Sequence, residues 1–196
     1  MKTIHLIFAL VLSVILISCN SKKEEETSNS GVYEPIKEEP INPIVRGQYL
    51  VDTNGCHDCH TPKKFTEKGI AENHELSLSG HPADEKLPPF DPETAKAYVL
   101  FSMGLTSTTG PWGTSFAANL TPDATGIGSW TEEQFINCIR KGLYKGLEGS
   151  RPLLPPMPWK HYANFTDDDL KAIFAYLKSL KPIKNVVPAP IPPKAM

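Results

Sequence analysis

The sequence predicts a mainly α-helical domain with one irregular stretch that holds a short β-hairpin. Three observations point there. Apolar residues recur at helical spacing near residues 44–51, 135–143 and 170–180. Helix-start signals stand just ahead of the last two runs, at Thr131 and Thr166. Between the first run and the others, Pro62, Pro82, Pro88, Pro89 and Pro92 bar any long regular element. A chain of 196 residues, once its termini are set aside, has room for one core and one domain.

Residues 1–18 read as a targeting segment. Lys2 supplies the positive end, and the run from Ile4 to Ile17 is apolar apart from His5 and Ser13. That is short for a membrane span and right for a signal-peptide core. It leads into Leu16-Ile17-Ser18-Cys19, which resembles the lipobox of bacterial lipoproteins. The resemblance implies cleavage before Cys19 and acylation of that residue. The alternative is an ordinary signal peptide with Cys19 incidental, and the position of Cys19 directly after the apolar run favours lipidation. Several acyl chains anchor a protein that one would hold only weakly.

Residues 19–42 form a tether. Lys22-Lys23-Glu24-Glu25-Glu26 is a solvated charge block, and Pro35 and Pro40 stiffen the approach to the domain. The acidic run resembles the export signal of some surface lipoproteins, which leaves the cell surface open beside the periplasm. Formal charge is −2, and one unit more negative without Lys2. No basic patch is present, so nucleic acid is not an expected partner.

The domain is expected over residues 43–185. From Pro43, Ile44, Val45, Tyr49, Leu50 and Val51 fall near one helical face, and Gly55 ends the run. Gly47 lies mid-helix, where glycine costs about 1 kcal/mol relative to alanine. Close approach to another helix would offset that cost.

The next six residues carry the chemistry. Gly55-Cys56-His57-Asp58-Cys59-His60 contains C-x-x-C-H, the attachment pattern of a c-type haem. Two thiols three residues apart can each form a thioether with one haem vinyl group, and the following histidine is then placed to ligate the iron. A thioredoxin-like redox pair lacks the βαβ surroundings it needs here. Half a zinc site lacks a second ligand pair downstream. The remaining cysteines are Cys19 and Cys138, so no disulfide framework is expected.

Residues 61–118 read as an irregular insertion. Tyr98-Val-Leu-Phe-Ser-Met-Gly-Leu and Thr114-Ser-Phe-Ala-Ala-Asn-Leu are candidate strands around a Gly110-Pro111 turn. His74 and His81 have no ligand-like pattern and read as solvated loop histidines.

Thr131-Glu132-Glu133-Gln134 is a capping box, followed by Phe135, Cys138, Ile139 and Leu143 on one face. Cys138 is thus expected to be a buried small hydrophobe. Thr166 opens the last helix, with Asp167, Asp168 and Asp169 at its positive end and Lys178 and Lys181 at its negative end. Leu170, Ile173, Phe174, Leu177 and Leu180 form its stripe, and Pro182 stops it. Residues 186–196 are a proline-rich tail, not expected to build a core.

Several local motifs form one ordered set: Asn119-Leu120-Thr121-Pro122-Asp123, Gly126-Ile127-Gly128-Ser129-Trp130-Thr131, Arg140-Lys141-Gly142, Pro155-Pro156-Met157-Pro158-Trp159, Tyr162 and Thr166-Asp167-Asp168-Asp169-Leu170. With C-x-x-C-H they resemble monohaem class I c-type cytochromes, and in particular the modules of the cytochrome subunits of membrane-bound alcohol and gluconate dehydrogenases. The resemblance spans roughly 43–185, with 61–118 longer than the usual module. Those subunits commonly repeat the module three times, whereas one C-x-x-C-H stands here. It implies a class I cytochrome c fold around one covalently bound haem c, with the first and last helices crossing near Gly47.

The sixth iron ligand decides the chemistry. Met1 leaves with the leader and Met196 ends the tail, leaving Met103 and Met157. Met157 sits between prolines in a run that cannot be helical and loses little entropy when fixed. It also matches the P-x-M-P of the resembled family. Met103 reads as packing, and His161 is the rival through bis-histidine ligation. Trp130 reads equally as a hydrogen-bond donor to a haem propionate and as an aromatic core residue. With His60 and Met157 on the iron, no position is open to substrate.

The expected protein is therefore a one-electron carrier and not an enzyme. It is expected to be lipid-anchored in the bacterial envelope, facing the periplasm, between a dehydrogenase and a cytochrome or oxidase. A peroxidase-like enzyme, a dehydrogenase cytochrome subunit and a gas sensor with a labile sixth ligand are the alternatives. Lys141, Lys145 and Lys160 flank the haem-binding segments and read as solvated surface available to a partner.

Overall fold

The computed structural model describes residues 41–193. The leader, Cys19, the tether to residue 40 and Met196 lie outside the described residues. Helix α1 (Pro43–Thr53) begins where the Asn42 side chain accepts the Ile44 N–H at 2.9 Å, with Pro43 preset for the first turn. It ends at Asn54, and Gly55 turns the chain at φ 68° into α2 (Cys56–His60). The last long helix, α6 (Asp167–Ser179), is capped by Thr166, whose hydroxyl accepts the Asp169 N–H at 3.1 Å.

Helices α1 and α6 make the most extensive contact in the domain, and Gly47 permits it. A Cβ at Gly47 would run into the Ala172 carbonyl and stand 2.7 Å from Tyr176 Cβ. Of the five apolar residues expected on one face of α1, only Leu50 and Val51 are buried; Ile44, Val45 and Tyr49 are exposed. The contact stripe is Gly47, Leu50 and Val51 at helical spacing. Val45 and Tyr49 stand two residues either side of Gly47, about 200° round the helix. An Arg46–Asp169 ion pair at 2.9 Å flanks the crossing.

Helix α4 (Glu132–Lys141) carries the expected capping box. Thr131 Oγ1 accepts the Gln134 N–H at 3.1 Å, and Gln134 Oε1 accepts the Thr131 N–H at 2.9 Å. Phe135, Cys138 and Ile139 are buried; Gly142 in the left-handed region ends the helix before Leu143. Phe135 meets Phe174 with ring centroids 5.3 Å apart. These helices, with Leu78 and Ile127, enclose the core. Among the described residues no helix is long and apolar enough to cross a membrane.

The insertion holds more structure than its sequence suggests. Strands β1 (Lys63–Thr66) and β2 (Gly69–Glu72) make an unforeseen antiparallel hairpin with Thr66 opposite Gly69. Asp91 caps a short helix, α3 (Pro92–Ala97). A three-stranded antiparallel sheet follows, in the order β3 (Leu100–Phe101), β4 (Ser107–Gly110), β5 (Gly113–Phe116). The Gly110-Pro111 turn stands where expected, but the second strand is 113–116 and stops short of the expected Ala117 to Leu120, and the first main strand is 107–110. Leu105, at φ 60°, donates its N–H to the Ser102 carbonyl and folds the apolar 98–105 stretch back, leaving only Leu100 and Phe101 as an edge. The buried strands are rich in Ser and Thr, which pair internally, as Thr109 and Thr114 do at 2.8 Å.

His74 is exposed as expected, but His81 is fully buried. The chain turns at Gly80, whose N–H donates to the His60 carbonyl, and this lays the His81 ring on Phe116 at 4.7 Å between centroids. Its Nδ1 lies 2.9 Å from Thr106 Oγ1, while Nε2 has no partner.

The proline-rich tail forms no helix, yet it is pinned to the domain. Asn119 Nδ2 donates to the Ile183 carbonyl at 2.8 Å, and Ile191 pairs with Thr114 as an antiparallel bridge. The sequence shows many prolines and few apolar runs there, but the pinning partners are backbone groups and buried polar side chains.

Candidate functional site

Cys56 and Cys59 stand one helical turn apart on α2, and His60 ends it. Lys63 holds that end. Its ammonium donates to the carbonyls of His57, Asp58 and Thr61 at 3.0, 3.0 and 2.6 Å, adding to the Thr61 N–H that already bonds the His57 carbonyl. A lysine three residues past C-x-x-C-H is the sequence signal for this clamp, one that sequence reasoning missed.

Both cysteines, His60, Met157 and Trp130 line one cavity of about 710 Å³, a size suited to a cofactor. Its remaining walls are mainly apolar: Leu50 and Val51 from α1, Ile139 from α4, and Leu170, Ile173 and Leu177 from α6. Burial of the sequence-predicted helical stripes thus ends at this cavity. Met103 and His161, the other candidates for the sixth position, are exposed and do not line it.

His60 Nδ1 lies 2.8 Å from the Ala118 carbonyl oxygen. A carbonyl only accepts, so Nδ1 carries the proton and Nε2 keeps its lone pair. Burial lowers the pKa of this imidazole, with the Ala118 bond working against it, which favours the neutral ring. That is the state a histidine needs to bind a metal. Burial raises the Cys56 thiol to about 11 and the Cys59 thiol in the same direction. A redox-active C-x-x-C pair needs a depressed thiol, so the environment argues against that alternative. Among the described residues no group of three or more His, Cys, Asp or Glu side chains is placed to hold a metal ion.

Met157 is carried by the segment 155–158 just before the short helix α5 (Trp159–Tyr162). The Pro155 carbonyl accepts a hydrogen bond from Ser115 Oγ at 2.5 Å, tying the methionine segment to β5. Tyr162 Oη donates to the Asn54 carbonyl at 2.8 Å, joining the end of α5 to the entrance of α2. Trp130 packs on the core cluster as well as lining the cavity, and its indole N–H has no protein partner among the described residues. Cys138 is buried beside the cavity, its thiol pushed up to about 11 by burial, as a packing residue would be.

Two parts of the lining are not foreseen by the sequence. Lys145 and Arg151 reach it from the loop after α4, where the Arg151 guanidinium stacks on Tyr144 at 4.1 Å. Residues 186–190 of the tail form another stretch of wall. Lys141, by contrast, pairs with Glu148 at 2.7 Å.

The chain has relatives among dehydrogenase subunits. It is 30% identical over 142 residues to the cytochrome c subunit of the alcohol dehydrogenase (quinone) of Gluconobacter oxydans, covering 71% of this chain and 22% of that one. It is 31% identical over 134 residues to the gluconate 2-dehydrogenase cytochrome c subunit of Pantoea cypripedii, covering 68% and 22%. With the fructose dehydrogenase cytochrome subunit of Gluconobacter japonicus, identity is 39% over 75 residues, 37% of this chain and 15% of that one. The chain thus spans less than a quarter of the length of these relatives. Residues 44–181 match the family model described as Cytochrome c. The donor set on the cavity wall agrees with that match, and the chain belongs to the cytochrome c family, whose haem c is bound covalently through the C-x-x-C-H pattern.

Proposed function

We propose that this protein is a one-electron carrier in which His60 and Met157 would hold the haem iron. The observation that carries the reading is the convergence of Cys56, Cys59, His60 and Met157 on one largely apolar cavity. The haem supplies a centre that gains or loses one electron. Cys56 and Cys59 hold it through thioethers. The Ala118 carbonyl fixes the His60 ring and its tautomer, leaving Nε2 for the iron. Met157, held by its proline run and the Ser115–Pro155 bond, contributes a neutral thioether that favours the reduced state. Apolar side chains from α1 and α6 keep water out, which lowers the local dielectric and reinforces that preference. The Trp130 indole N–H is the available donor for a propionate, with Lys145 and Arg151 as cations near the same cavity.

The domain fills 43–185, with the tail continuing beyond it, and is tethered by 19–42 to a lipid at Cys19 once 1–18 is removed. It serves at the bacterial envelope, facing the periplasm, receiving electrons from a dehydrogenase and passing them to a cytochrome or oxidase. The relatives' names support the donor. With His60 and Met157 both holding the iron, no position would be open to substrate and the protein would do no bond chemistry of its own.

A potentiometric titration of the haem-matured full-length protein, followed optically with and without CO, tests this reading. A single one-electron wave and no CO-induced shift are expected. Ready CO binding would mean an open iron and would transfer the case to an enzyme or gas sensor.

A further inference from the structure

We propose that residues 183–190 act as a strap that closes the haem cavity and limits how much water reaches the bound haem. This rests on the haem placement above. The strap lies beyond residues 44–181, the span matched by the family model, so the match assigns it nothing. Yet Val186, Val187, Pro188, Ala189 and Pro190 line the same cavity as His60 and Met157.

It is fastened at both ends. At the near end, the Ile183 N–H donates to Thr121 Oγ1 at 3.1 Å, and its carbonyl accepts from Asn119 Nδ2 at 2.8 Å. Both partners are buried. Asn185 is then bonded through backbone and side chain alike. Its N–H donates to Thr125 Oγ1 at 2.9 Å, and its Nδ2 donates to the carbonyls of Ser79 at 2.7 Å and His81 at 2.9 Å. Its Oδ1 accepts the Ala83 N–H at 3.1 Å. At the far end, Ile191 and Thr114 exchange both backbone bonds, at 2.8 and 2.9 Å. Gly113 makes room for that crossing: a Cβ there would run into the Ile191 carbonyl and lie 2.7 Å from the Pro192 carbonyl carbon.

Between the fasteners the strap offers only apolar side chains, and Pro188 and Pro190 restrict its backbone, so little entropy is lost by holding it in place. An apolar wall lowers the local dielectric and disfavours the more highly charged oxidised state. The strap therefore raises the reduction potential and slows small polar reagents. It also joins the insertion, through Thr114 and Ser79, to the end of α6.

The test compares the haem-matured wild type with a truncation ending at Pro182 and with Asn185→Ala. The midpoint potential and the rate of reduction by ascorbate are measured, with the ferric near-infrared spectrum as a check on ligation. Expected are a negative shift in potential and a several-fold faster reduction in the truncation, with smaller changes of the same sign in Asn185→Ala. The methionine–iron band should persist in both. Wild-type potential and rate in the truncation would overturn the strap. If the truncation does not mature, Asn185→Ala decides by the same two readouts. Absence of the methionine–iron band from the wild type would instead defeat the ligation reading, and the rate comparison would still judge the strap.

Discussion

Gly47 packs directly on the backbone of Ala172, with no space between them for a side chain: an added Cβ would run into the Ala172 carbonyl and lie 2.7 Å from Tyr176 Cβ. This contact sets how closely α1 stands to α6, and α1 delivers the chain into Cys56. Gly47→Ala gains about 1 kcal/mol of helix propensity but must push a backbone apart. Overpacking costs about 1–3 kcal/mol, more where the obstacle is backbone, so a net loss of roughly 2 kcal/mol is expected. Thermal unfolding followed by circular dichroism checks it; an unchanged or raised midpoint would refute the close-packing account.

Thr131→Ala removes one half of the capping box and leaves the Gln134 N–H without its side-chain acceptor. A loss of about 1 kcal/mol is expected. Urea denaturation should show a lower midpoint with the same slope, and Thr131→Ser should recover most of it.

Lys63→Met keeps the aliphatic stem and removes the ammonium from the carbonyls of His57, Asp58 and Thr61. Because the side chain is only half-buried, water can replace part of what is lost. A cost of about 1 kcal/mol is expected from the same denaturation measurement. Equal stability in the variant would mean that these bonds are surface decoration.

Buried His81 gives the domain an acid sensitivity. Burial lowers its pKa in the folded state, with Glu85 partly opposing, whereas the unfolded chain takes up its proton near the usual value of about 6.5. The stabilisation is therefore complete above that pH. It is lost as pH falls below it, because the unfolded state then binds more protons. His81→Gln retains an amide for Thr106 and removes this titration. Between about pH 7.5 and 5.5 the variant should lose less stability than the wild type. Identical losses in the two proteins would contradict this assignment.

The helical half of the fold was legible because its signals are local. Thr131 and Gln134 cap, Thr166 caps, and the α4 and α6 stripes have helical spacing. The glycine in α1 marked the crossing, although the apolar count around it overstated the buried face. The insertion was less legible because β4 and β5 are buried Ser/Thr strands. Their hydrogen bonds are non-local, and an apolarity reading favours the neighbouring 98–105 stretch instead. His81 was misplaced for a related reason: a lone histidine after a glycine carries no mark of the Phe116 ring and Thr106 hydroxyl that meet it. At the site, C-x-x-C-H and the proline-flanked methionine were readable as motifs. The Ala118 carbonyl on His60 was not, since any residue type supplies a carbonyl. The tail's part in the cavity depends on Asn185 and Ile191 finding partners 60 to 106 positions away, which no local pattern announces.

Met157 is proposed to complete the iron coordination begun by His60. The most direct measurement is the ferric near-infrared spectrum of the haem-matured protein and of Met157→Ala, Met103→Ala and His161→Ala. A methionine–iron charge-transfer band is predicted in the wild type, retained in Met103→Ala and His161→Ala and absent from Met157→Ala. A wild type without the band, or a Met157→Ala variant that keeps it, would contradict the account.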